Sequence, residues 1–347
     1  MKRKIFAILL AVVLAVAIAL PVAAEPEGPF IQREQEVKLE RLDTYAELVK
    51  GLNQIEKSCQ GTVTLEWYGP TVQGRALPLA IIGTGPTAIL IVAQQHGGEP
   101  MTCVAAVSVI KYLGSAGNSE VKQILEKFTV LVMPRVNPDG AEVHQRRNAD
   151  GFDINRDHNP ANYPDQFDTF EAKTVRDIWE EYKPMIFLDL HHMGSRLPVT
   201  VNVHRPVNED SHRPLVTPDD YPGWPGYEGR EVQSLSKQIG AQMYETLEKM
   251  GIGEVELYSR GHASSDQRIS RNAYGMLGSA TQLVEIRGQM RSLGQKSSGY
   301  LIELPYRSIM TVLVSAADGS LFEIDPADYE VIPPGDTAWP PEEYESH

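Results

Sequence analysis

The sequence has 347 residues, which is enough for one large domain or two small ones. Its 46 acidic residues outnumber its 32 basic residues, and the net charge of −14 would repel the phosphates of a nucleic acid, so we exclude a nucleic-acid partner. Two cysteines are present, Cys59 and Cys103, and they are too few and too distant to build a thiolate zinc site. Either they form one disulfide after export or Cys103 is a small buried residue of a helix, and the sequence leaves both open.

The first 24 residues have the pattern of a secretory signal. Basic residues 2–4 precede an unbroken apolar run, residues 5–20, and small residues lead up to Ala24. We therefore expect cleavage after Ala24 and a secreted or cell-envelope protein without stable membrane association. An uncleaved membrane anchor is the alternative, but the run is shorter than the roughly 20 residues that a span usually needs. The segment between this signal and the first predicted strand is short, so we expect no large pro-domain there.

The next part of the chain changes repeatedly between helical and strand patterns. Recurring apolar positions in residues 34–57 predict an amphipathic helix. Two β-rich runs, residues 61–68 and 76–82, flank a turn-rich segment and predict a hairpin. Residues 88–93 predict a buried strand, and residues 101–113 have the spacing of a helix.

The pattern continues with buried strands. Residues 121–128 predict a short helix or a connection, and residues 129–133 a buried strand closed by Pro134. Two further apolar runs, residues 185–190 and 281–288, also predict strands.

Strands that alternate with helices predict the fold class and the domain organisation. We expect an α/β fold, a three-layer α/β/α sandwich with a mixed, mostly parallel central sheet, in a single domain of residues 25–320. Residues 321–347 are rich in Pro, Asp and Glu, so we expect an acidic extension that packs loosely or not at all. Ligands of such sheets bind beyond the strand ends, and the polar residues found there are the candidates for function.

A polar stretch, residues 94–100, connects the first buried strand to its helix and contains His96 and Glu99. Gly97 and Gly98 permit the sharp turn that lets an imidazole and a carboxylate three residues apart converge on one ion. Two such ligands with one more histidine, and a fourth position left to water, are typical of catalytic zinc. The alternative is a polar strand end whose Glu99 favours the helix N-terminus.

A second polar segment, residues 145–157, follows the turn signature Asn-Pro-Asp-Gly at residues 137–140. It concentrates arginines and asparagines in a strongly acidic protein. A guanidinium with an asparagine amide beside it suits a carboxylate, so this segment predicts anion capture. Surface salt bridges are the alternative.

Two later strands carry polar side chains. The strand of residues 185–190 leads directly into His191 and His192, and Glu285 lies inside a later apolar strand. A buried carboxylate is costly unless it is paired, and Arg287, on the same strand face, offers a structural explanation for it.

Six short motifs therefore follow one another over roughly residues 60–315. In order they are His-x-x-Glu, Asn-Pro-Asp-Gly, Arg-x-Asn, Asn-Arg, a strand ending in His, and Glu-x-Arg. Each motif alone is weak, but their order resembles the zinc carboxypeptidase family of the carboxypeptidase A-like type. The resemblance implies an enzyme with one Zn²⁺ ion that hydrolyses the C-terminal bond of peptides with a free carboxylate, and we expect a monomer.

The resemblance also implies roles for residues of the metal site. His96, Glu99 and His191 match the zinc ligands, with His192 as the competitor for the third position. Glu285 matches the general base, which takes a proton from the attacking water.

Residues of the arginine-rich segment match the family's substrate-binding positions. Arg146 matches the residue that polarises the scissile carbonyl, and Asn155 and Arg156 match the pair that binds the terminal carboxylate of the substrate. Asp153 matches an acid that orients the first histidine, a role that metal-bound imidazoles commonly require.

The sequence departs from the family pattern at one catalytic position. Where the family has a mobile tyrosine this chain has Ala263, so Tyr258 and Tyr274 are the candidates for that role, with a place in the core as the alternative. Arg271 lies in the segment that sets side-chain preference and implies selection of an anionic side chain, unless it is a surface arginine.

Two other functions compete with this one. A zinc deacylase of N-acyl amino acids, like aspartoacylase or succinylglutamate desuccinylase, shares His-x-x-Glu and a later histidine. The Asn-Pro-Asp-Gly turn, the pair Asn155 and Arg156, and Glu285 with Arg287 favour the carboxypeptidase. A zinc-binding but inactive wall or adhesion protein is the third possibility, which the filled catalytic positions disfavour.

Overall fold

The structure, a computed structural model, describes residues 44–193, 200–203, 232–251, 254–257, 266–287 and 295–334. The predicted signal, residues 1–24, and the start of the first predicted helix lie outside this part of the chain. Among the helices that are described, none combines the length and the apolar character needed to cross a membrane.

Strands and helices alternate along the described chain. The strands are β1 Val63–Tyr68, β2 Leu77–Ile82, β3 Thr87–Ala93, β4 Phe128–Met133, β5 Ile186–Met193, β6 Thr200–Val203, β7 Glu254–Leu257 and β8 Ala280–Arg287. The α-helices are α1 Tyr45–Ser58, α2 Pro100–Ser115, α3 Ser119–Lys127, α4 Pro138–Glu142, α5 Phe170–Tyr182, α6 Val232–Met250, α7 Ser270–Met276 and α8 Gln295–Asp318. Short 3-10 helices are formed by Ile154–Arg156, Pro160–Asn162, Ser320–Glu323 and Pro326–Val331.

The strands form one 8-stranded sheet in the order β1-β2-β4-β3-β5-β8-β6-β7. Its central strands β4, β3, β5 and β8 are parallel, whereas β1 and β2 form the predicted antiparallel hairpin. The mixed, mostly parallel sheet of the predicted α/β sandwich is therefore confirmed. The parallel strands are continuous apolar runs because both of their faces are buried, as the whole of β3 shows.

Helices cover both faces of this sheet. On one face α5 contributes Val175 and Trp179 to a cluster with Leu90 and Phe187. On the other face α2 packs against both the strands and α8. Most side chains of α2 are buried, which explains why this helix is apolar nearly all round. The C-terminal ends of β3, β5 and β8 lie side by side at one end of the sheet, because the three strands are parallel.

The first helix of the described chain, α1, begins at Tyr45, where Thr44 and Glu47 form a capping box. Its apolar stripe is buried, with Leu48 and Leu52 both fully covered. This stripe is the periodicity from which the sequence predicted an amphipathic helix.

The two cysteines, Cys59 and Cys103, are buried and do not form a disulfide. Cys59 packs against Gly114 near the C-terminal end of α2, where a β-carbon on the glycine would lie 3.0 Å from the cysteine sulfur. Cys103 lies near the other end of this helix, about 16 Å away at 1.5 Å per residue, which is beyond the reach of a disulfide.

The expectation that residues 321–347 pack loosely or not at all is wrong as far as residue 334. Leu321 and Tyr329 are 0% and 1% exposed. Gln238 on α6 donates from its side-chain amide to the carbonyls of Phe322 and Ile324, at 3.2 and 2.7 Å. Composition alone could not show that a few spaced apolar residues anchor an otherwise polar segment. The remaining residues, 335–347, lie outside the described part.

Candidate metal centre and active site

Residues 94–99, here called the metal loop, turn sharply between β3 and α2. Gln94 has a left-handed backbone conformation, with φ 49°, at the point where the chain leaves the strand. Its side chain holds the turn, since Nε2 donates to the carbonyl of Gly97 at 3.0 Å and Oε1 accepts from Nε of Arg135 at 2.7 Å. Glu99 stands directly before α2, with Pro100 at the first helical position.

Asn137 joins the metal loop to the arginine-rich segment. Its side-chain amide donates to the carbonyls of Gln95 and Arg146, at 3.2 and 3.3 Å. Its backbone N–H donates to the carbonyl of Gln94 at 3.0 Å, and its Oδ1 accepts from the N–H of Gly140 at 2.8 Å. The Asn-Pro-Asp-Gly turn is therefore a brace that positions two functional segments.

His191 and Glu285 lie at this same end of the sheet, on the neighbouring parallel strands β5 and β8. The two residues are direct partners in the register of β5 and β8, so their side chains share one face of the sheet. His192 follows on the opposite face, as a partner of Ile286. The choice of His191 over its competitor agrees with this alternation.

The structure brings His96, Glu99 and His191 together. One donor atom from each of the three lies within 4.8 Å of the other two, and all three side chains are buried. Nδ1 of His96 is 2.7 Å from Oε1 of Glu99, and Nδ1 of His191 is 3.1 Å from Oε2 of Glu99. Glu99 makes no capping hydrogen bond to α2, so the alternative of a simple helix-terminal carboxylate does not describe it.

Both imidazoles are fixed by carboxylates at their other ring nitrogen. Nε2 of His96 is 3.1 Å from Oδ1 of Asp153, and Nε2 of His191 is 2.8 Å from Oδ1 of Asp189. A carboxylate accepts hydrogen bonds, so with a metal ion bound each Nε2 would keep its proton and each Nδ1 would be the coordinating atom. The two Nδ1 atoms both lie against the carboxylate of Glu99. This is the arrangement in which metal-bound histidines are commonly held.

The electrostatics of the centre favour a cation. Burial alone would lower the pKa of His191, but Asp189 and Glu99, one at each ring nitrogen, raise it well above its ordinary value. Burial alone would raise the pKa of Glu99, but His96 and His191 outweigh this and the pKa is lowered. Nitrogen and carboxylate donors in a buried, negatively charged site fit zinc. The residues present therefore match the donor set expected from the sequence.

Glu285 lies beside this centre in a buried position. Burial raises the pKa of the Glu285 carboxyl, and the charge of His191 partly offsets this effect. A carboxylate that holds a proton more readily than usual, next to a cation site, is suited to accept and return a proton.

Arg146 also lies at the centre. Its guanidinium donates to Oδ2 of Asp153 from Nε at 3.0 Å, and Nη2 is 2.8 Å from the same oxygen. Nη1 lies 3.3 Å from Nδ1 of His96, on the side of the ring that faces the donor cluster. Asp153 therefore binds both His96 and Arg146, and these contacts outweigh its burial, so its pKa is lowered.

The two residues expected to bind a terminal carboxylate are placed differently from each other. Arg156 is partly exposed, with 38% of its side chain accessible, and is only loosely paired with Asp266 at 4.0 Å. Asn155 is buried, and its Oδ1 accepts from the backbone N–H of Ser270 at 2.8 Å and lies 3.0 Å from the Ser270 hydroxyl oxygen. Its amide nitrogen lies 3.1 Å from Nε2 of His191. The expected role of Asn155 in binding a terminal carboxylate therefore stays a prediction.

The position of Tyr274 does not agree with the expectation that it binds substrate. It is 1% exposed and stacks on Phe187 with ring centroids 4.3 Å apart. Its hydroxyl lies 3.2 Å from Nδ1 of His158, in the core below the sheet edge. The other candidate, Tyr258, lies outside the described residues.

Arg271 is not a surface arginine. It is 4% exposed on α7, and its positive charge lowers the pKa of Asp189 and opposes the upward shift of the Glu285 pKa. A buried cation thus lies near Glu285. Arg287, which the sequence offered as a partner for Glu285, lies on β8, but its side chain is outside the described part.

A buried polar network below the centre was missed from the sequence. Asp189 accepts from Nε2 of Gln95 at 2.7 Å and from the Ser270 hydroxyl at 2.5 Å, in addition to its contact with His191. Nε2 of His158 is 2.7 Å from Oε1 of Gln95. The sequence could have pointed to Asp189, because it is a carboxylate in an apolar strand, as Glu285 is. It could not have pointed to Gln95, His158 or Ser270, since residues of these types are common in ordinary turns and helix caps.

The chain is similar to known carboxypeptidases. A family model described as zinc carboxypeptidase matches residues 48–302, which is more than half of the chain. Carboxypeptidase 2 of Trichophyton equinum is 26% identical over 204 residues, covering 56% of this chain and 35% of that protein. Carboxypeptidase SOL1 of Arabidopsis thaliana is 28% identical over 152 residues, covering 41% of this chain and 30% of that protein. The matches thus span about a third of the length of these relatives.

Solved structures show the same fold at low sequence identity. A metallo-carboxypeptidase from Burkholderia cenocepacia superposes with a TM-score of 0.57 at 20% identity, covering 78% of this chain and 69% of that one. Bovine thrombin-activatable fibrinolysis inhibitor, in complex with tick carboxypeptidase inhibitor, gives a TM-score of 0.60 at 13% identity, covering 82% and 99%. These likenesses establish the fold, and the family model covers the metal loop, β5 and β8 together.

Proposed function

Because this chain belongs to the zinc carboxypeptidase family, we propose that it is a metallocarboxypeptidase that removes the C-terminal residue of peptides. The convergence of His96, Glu99 and His191, each with a donor atom within 4.8 Å of the others, is the observation that carries this proposal. The carboxylates behind the two histidines support it further, because they fix the tautomer that a metal ligand needs.

One zinc ion is the proposed cofactor, held by His96, Glu99 and His191. When bound, it would supply a Lewis acid that polarises the scissile carbonyl and lowers the pKa of a water molecule. The chain contributes the rigid placement of these ligands, through the metal loop and the end of β5. Because the side chains are buried and their partners are in place, little reorganisation is needed when the ion binds.

Glu285 is the proposed general base. It takes a proton from the attacking water and returns it to the leaving amine, so that the amine departs as a neutral group. Its position beside His191 in the register of β5 and β8 supports this role, as does the pKa raised by burial.

Arg146 is proposed to meet the negative charge that develops on the carbonyl oxygen during attack. Such preorganised charge is usually the largest contribution of an active site to rate. The hydrogen bonds from Arg146 to Asp153 hold the guanidinium beside His96, so the guanidinium is already in place before the carbonyl is attacked.

Arg156 is proposed to capture the terminal carboxylate of the substrate. Its partly exposed guanidinium can exchange the long contact with Asp266 for a charge-assisted hydrogen bond to the substrate. Asn155 supports this group, since its carbonyl accepts from Nη1 of Arg156 at 2.7 Å. This capture makes the enzyme an exopeptidase, because a chain end without a carboxylate leaves the arginine without its partner.

Arg271 is the proposed determinant of the substrate's C-terminal side chain. It is a buried cation on α7, close enough to Glu285 to affect its pKa, and a cation there would favour an anionic side chain. No such role is proposed for Tyr274, because its hydroxyl is engaged in the core.

The surroundings in which the enzyme acts follow from the sequence alone. We propose a signal peptide of residues 1–24 with cleavage after Ala24, export to the medium or the cell envelope, and a monomeric mature chain without membrane association. The sequence alternative, a zinc-dependent N-acyl amino acid deacylase, is not favoured, because the family model and the named relatives are carboxypeptidases.

A substrate series tests the proposal directly. The purified, zinc-loaded mature chain is incubated with peptides that differ only in their last residue, with the same peptides amidated at the C-terminus, and with N-acyl amino acids. We expect release of single C-terminal residues from the free-acid peptides alone. Turnover of only the N-acyl amino acids would replace the carboxypeptidase with the deacylase.

A further inference from the structure

The hydroxyl of Ser270 lies where three segments of the chain meet below the metal centre. Ser270 is the first residue of α7 and is fully buried. Its Oγ is 2.5 Å from Oδ2 of Asp189 on β5, 3.0 Å from Oδ1 of Asn155, and 3.0 Å from Nε2 of Gln95 in the metal loop. Each of these residues touches or adjoins a proposed zinc ligand.

Asp189 depends on these neighbours because it is a fully buried carboxylate. Its hydrogen bonds come from Nε2 of His191 at 2.8 Å, Nε2 of Gln95 at 2.7 Å and the Ser270 hydroxyl at 2.5 Å. The first two meet at Oδ1, whereas the hydroxyl is the donor described at Oδ2. Without that donor the carboxylate can rotate or shift, because a buried oxygen that lacks a partner is costly.

The single proton of the Ser270 hydroxyl goes to Asp189. The contact with the carboxylate is the shorter of the two acceptor contacts, and charge-assisted hydrogen bonds are the stronger ones. Asn155 is held independently, because its Oδ1 also accepts from the backbone N–H of Ser270 at 2.8 Å. Removing the hydroxyl therefore takes a donor from Asp189 and an acceptor from the Gln95 amide, and it leaves the backbone contact with Asn155 in place.

We propose that Ser270 is a positioning residue that locks Asp189 against Nε2 of His191, so that the start of α7 sets the affinity and the geometry of the metal centre. The inference rests on the proposed function, because it presumes that His191 is a zinc ligand. The aspartate fixes the ring so that Nδ1 faces His96 and Glu99, and the serine fixes the aspartate. Partners of this kind commonly change metal affinity by about 10- to 100-fold when they are removed.

The test is Ser270→Ala, with Ser308→Ala as the matched control. Ser308 is equally buried in a helix, and its hydroxyl donates to the carbonyl of Leu304 at 2.9 Å. Both substitutions remove one buried hydroxyl, but only one of them lies at the network. The dissociation constant for zinc is measured by competition with a chelator, and the visible spectrum of the cobalt-substituted protein reports the ligand geometry.

We expect Ser270→Ala to raise the zinc dissociation constant by about 10-fold or more and to change the cobalt spectrum. We expect Ser308→Ala to change neither, although both variants lose thermal stability. Zinc binding and a cobalt spectrum like those of the wild type in folded Ser270→Ala would overturn the proposal.

Two further measurements keep the outcomes distinct. If Ser270→Ala does not fold, Ser270→Cys keeps the size of the side chain and offers only a weak donor, and we expect it to weaken zinc binding as well. Unchanged affinity in that variant overturns the proposal. The wild type is measured first, because a chain that holds no zinc overturns both the metal centre and the role of Ser270. A wild type that holds zinc but cleaves no peptide overturns the proposed function alone.

Discussion

Gly97 of the metal loop and Gly140 of the Asn-Pro-Asp-Gly turn touch backbone to backbone. A β-carbon on Gly97 would lie 2.1 Å from the carbonyl carbon of Gly140 and 2.4 Å from the N–H nitrogen of Ala141. No side chain fits between two such segments, so the glycine is required by the close approach rather than only by the turn. The contact fixes the position of the metal loop, and with it His96, relative to the turn around Asn137.

We expect Gly97→Ala to separate these segments and to weaken both folding and zinc binding. Forcing a methyl group into packed backbone costs roughly 1–3 kcal/mol of unfolding free energy. The control is Gly117→Ala, because a β-carbon there meets nothing within 4 Å. Urea unfolding and the zinc content after dialysis measure the two effects, and a Gly97→Ala protein equal to the control in both would show that the loop adapts freely.

The general base is tested by Glu285→Gln. The substitution keeps the size of the side chain but cannot take up the proton, so we expect zinc to be retained and kcat to fall by about 10²- to 10⁴-fold. Glu245→Gln, at an exposed residue of α6 whose ion pair in the described part of the chain is with Lys249, is the control. Unchanged kcat in Glu285→Gln would remove this residue from the base role.

The carboxylate site is tested by Arg156→Ala. Losing a charge-assisted hydrogen bond to the substrate costs about 1.5–3 kcal/mol, so we expect kcat/KM for free-acid peptides to fall by roughly 10- to 100-fold. Arg147→Ala is the control, because Arg147 is exposed and donates only to the carbonyl of Gly151 among its described contacts. If the Arg156→Ala enzyme discriminates between free-acid and amidated peptides as well as the wild type does, the carboxylate is bound elsewhere.

His158 makes folding sensitive to mild acid. Burial lowers the pKa of His158 from 6.5 to about 4, so the imidazole stays neutral between Gln95 and Tyr274. Between pH 6.5 and pH 4 the unfolded chain binds a proton at His158 that the folded chain does not bind. The contribution of the neutral imidazole to stability is therefore complete above pH 6.5 and is lost as the pH falls toward 4. The loss is on the order of 3 kcal/mol for this one group.

We therefore expect His158→Gln to lose stability less steeply than the wild type between pH 6.5 and pH 4. His144→Gln, at an exposed histidine, serves as the control and should keep the slope of the wild type. The free energy of unfolding is measured by urea titration at a series of pH values. Parallel curves for the wild type and His158→Gln would mean that His158 binds a proton equally well in the folded and the unfolded chain.

Much of the fold was visible in the sequence, because burial on both faces of a parallel sheet leaves continuous apolar runs. The strands around residues 88–93, 129–133 and 281–288 were found in this way, and each is present within a residue or two. The sequence did not show that the domain continues beyond residue 320. Leu321 and Tyr329 anchor a segment whose composition is otherwise that of a loose tail.

The candidate site could likewise be predicted only in part. His96, Glu99 and His191 could be proposed because strand ends concentrate ligands and their residue types are distinctive. The residues that hold these ligands come from distant parts of the chain, and nothing local marks Ser270 or Gln95 as a partner of Asp189. The position of Tyr274 could not be predicted for a related reason, since a sequence does not show that a tyrosine hydroxyl is bound inside the core.

The zinc stoichiometry of three purified proteins tests the metal centre most directly. The wild type, His191→Ala and His192→Ala are each loaded with zinc and dialysed, and their metal content is measured per chain. His192 is a close control, because it is buried on the same strand but faces away from the donor cluster. We expect one zinc ion in the wild type and in His192→Ala, and none in His191→Ala. Full zinc content in His191→Ala, or none in the wild type, would contradict the proposed centre.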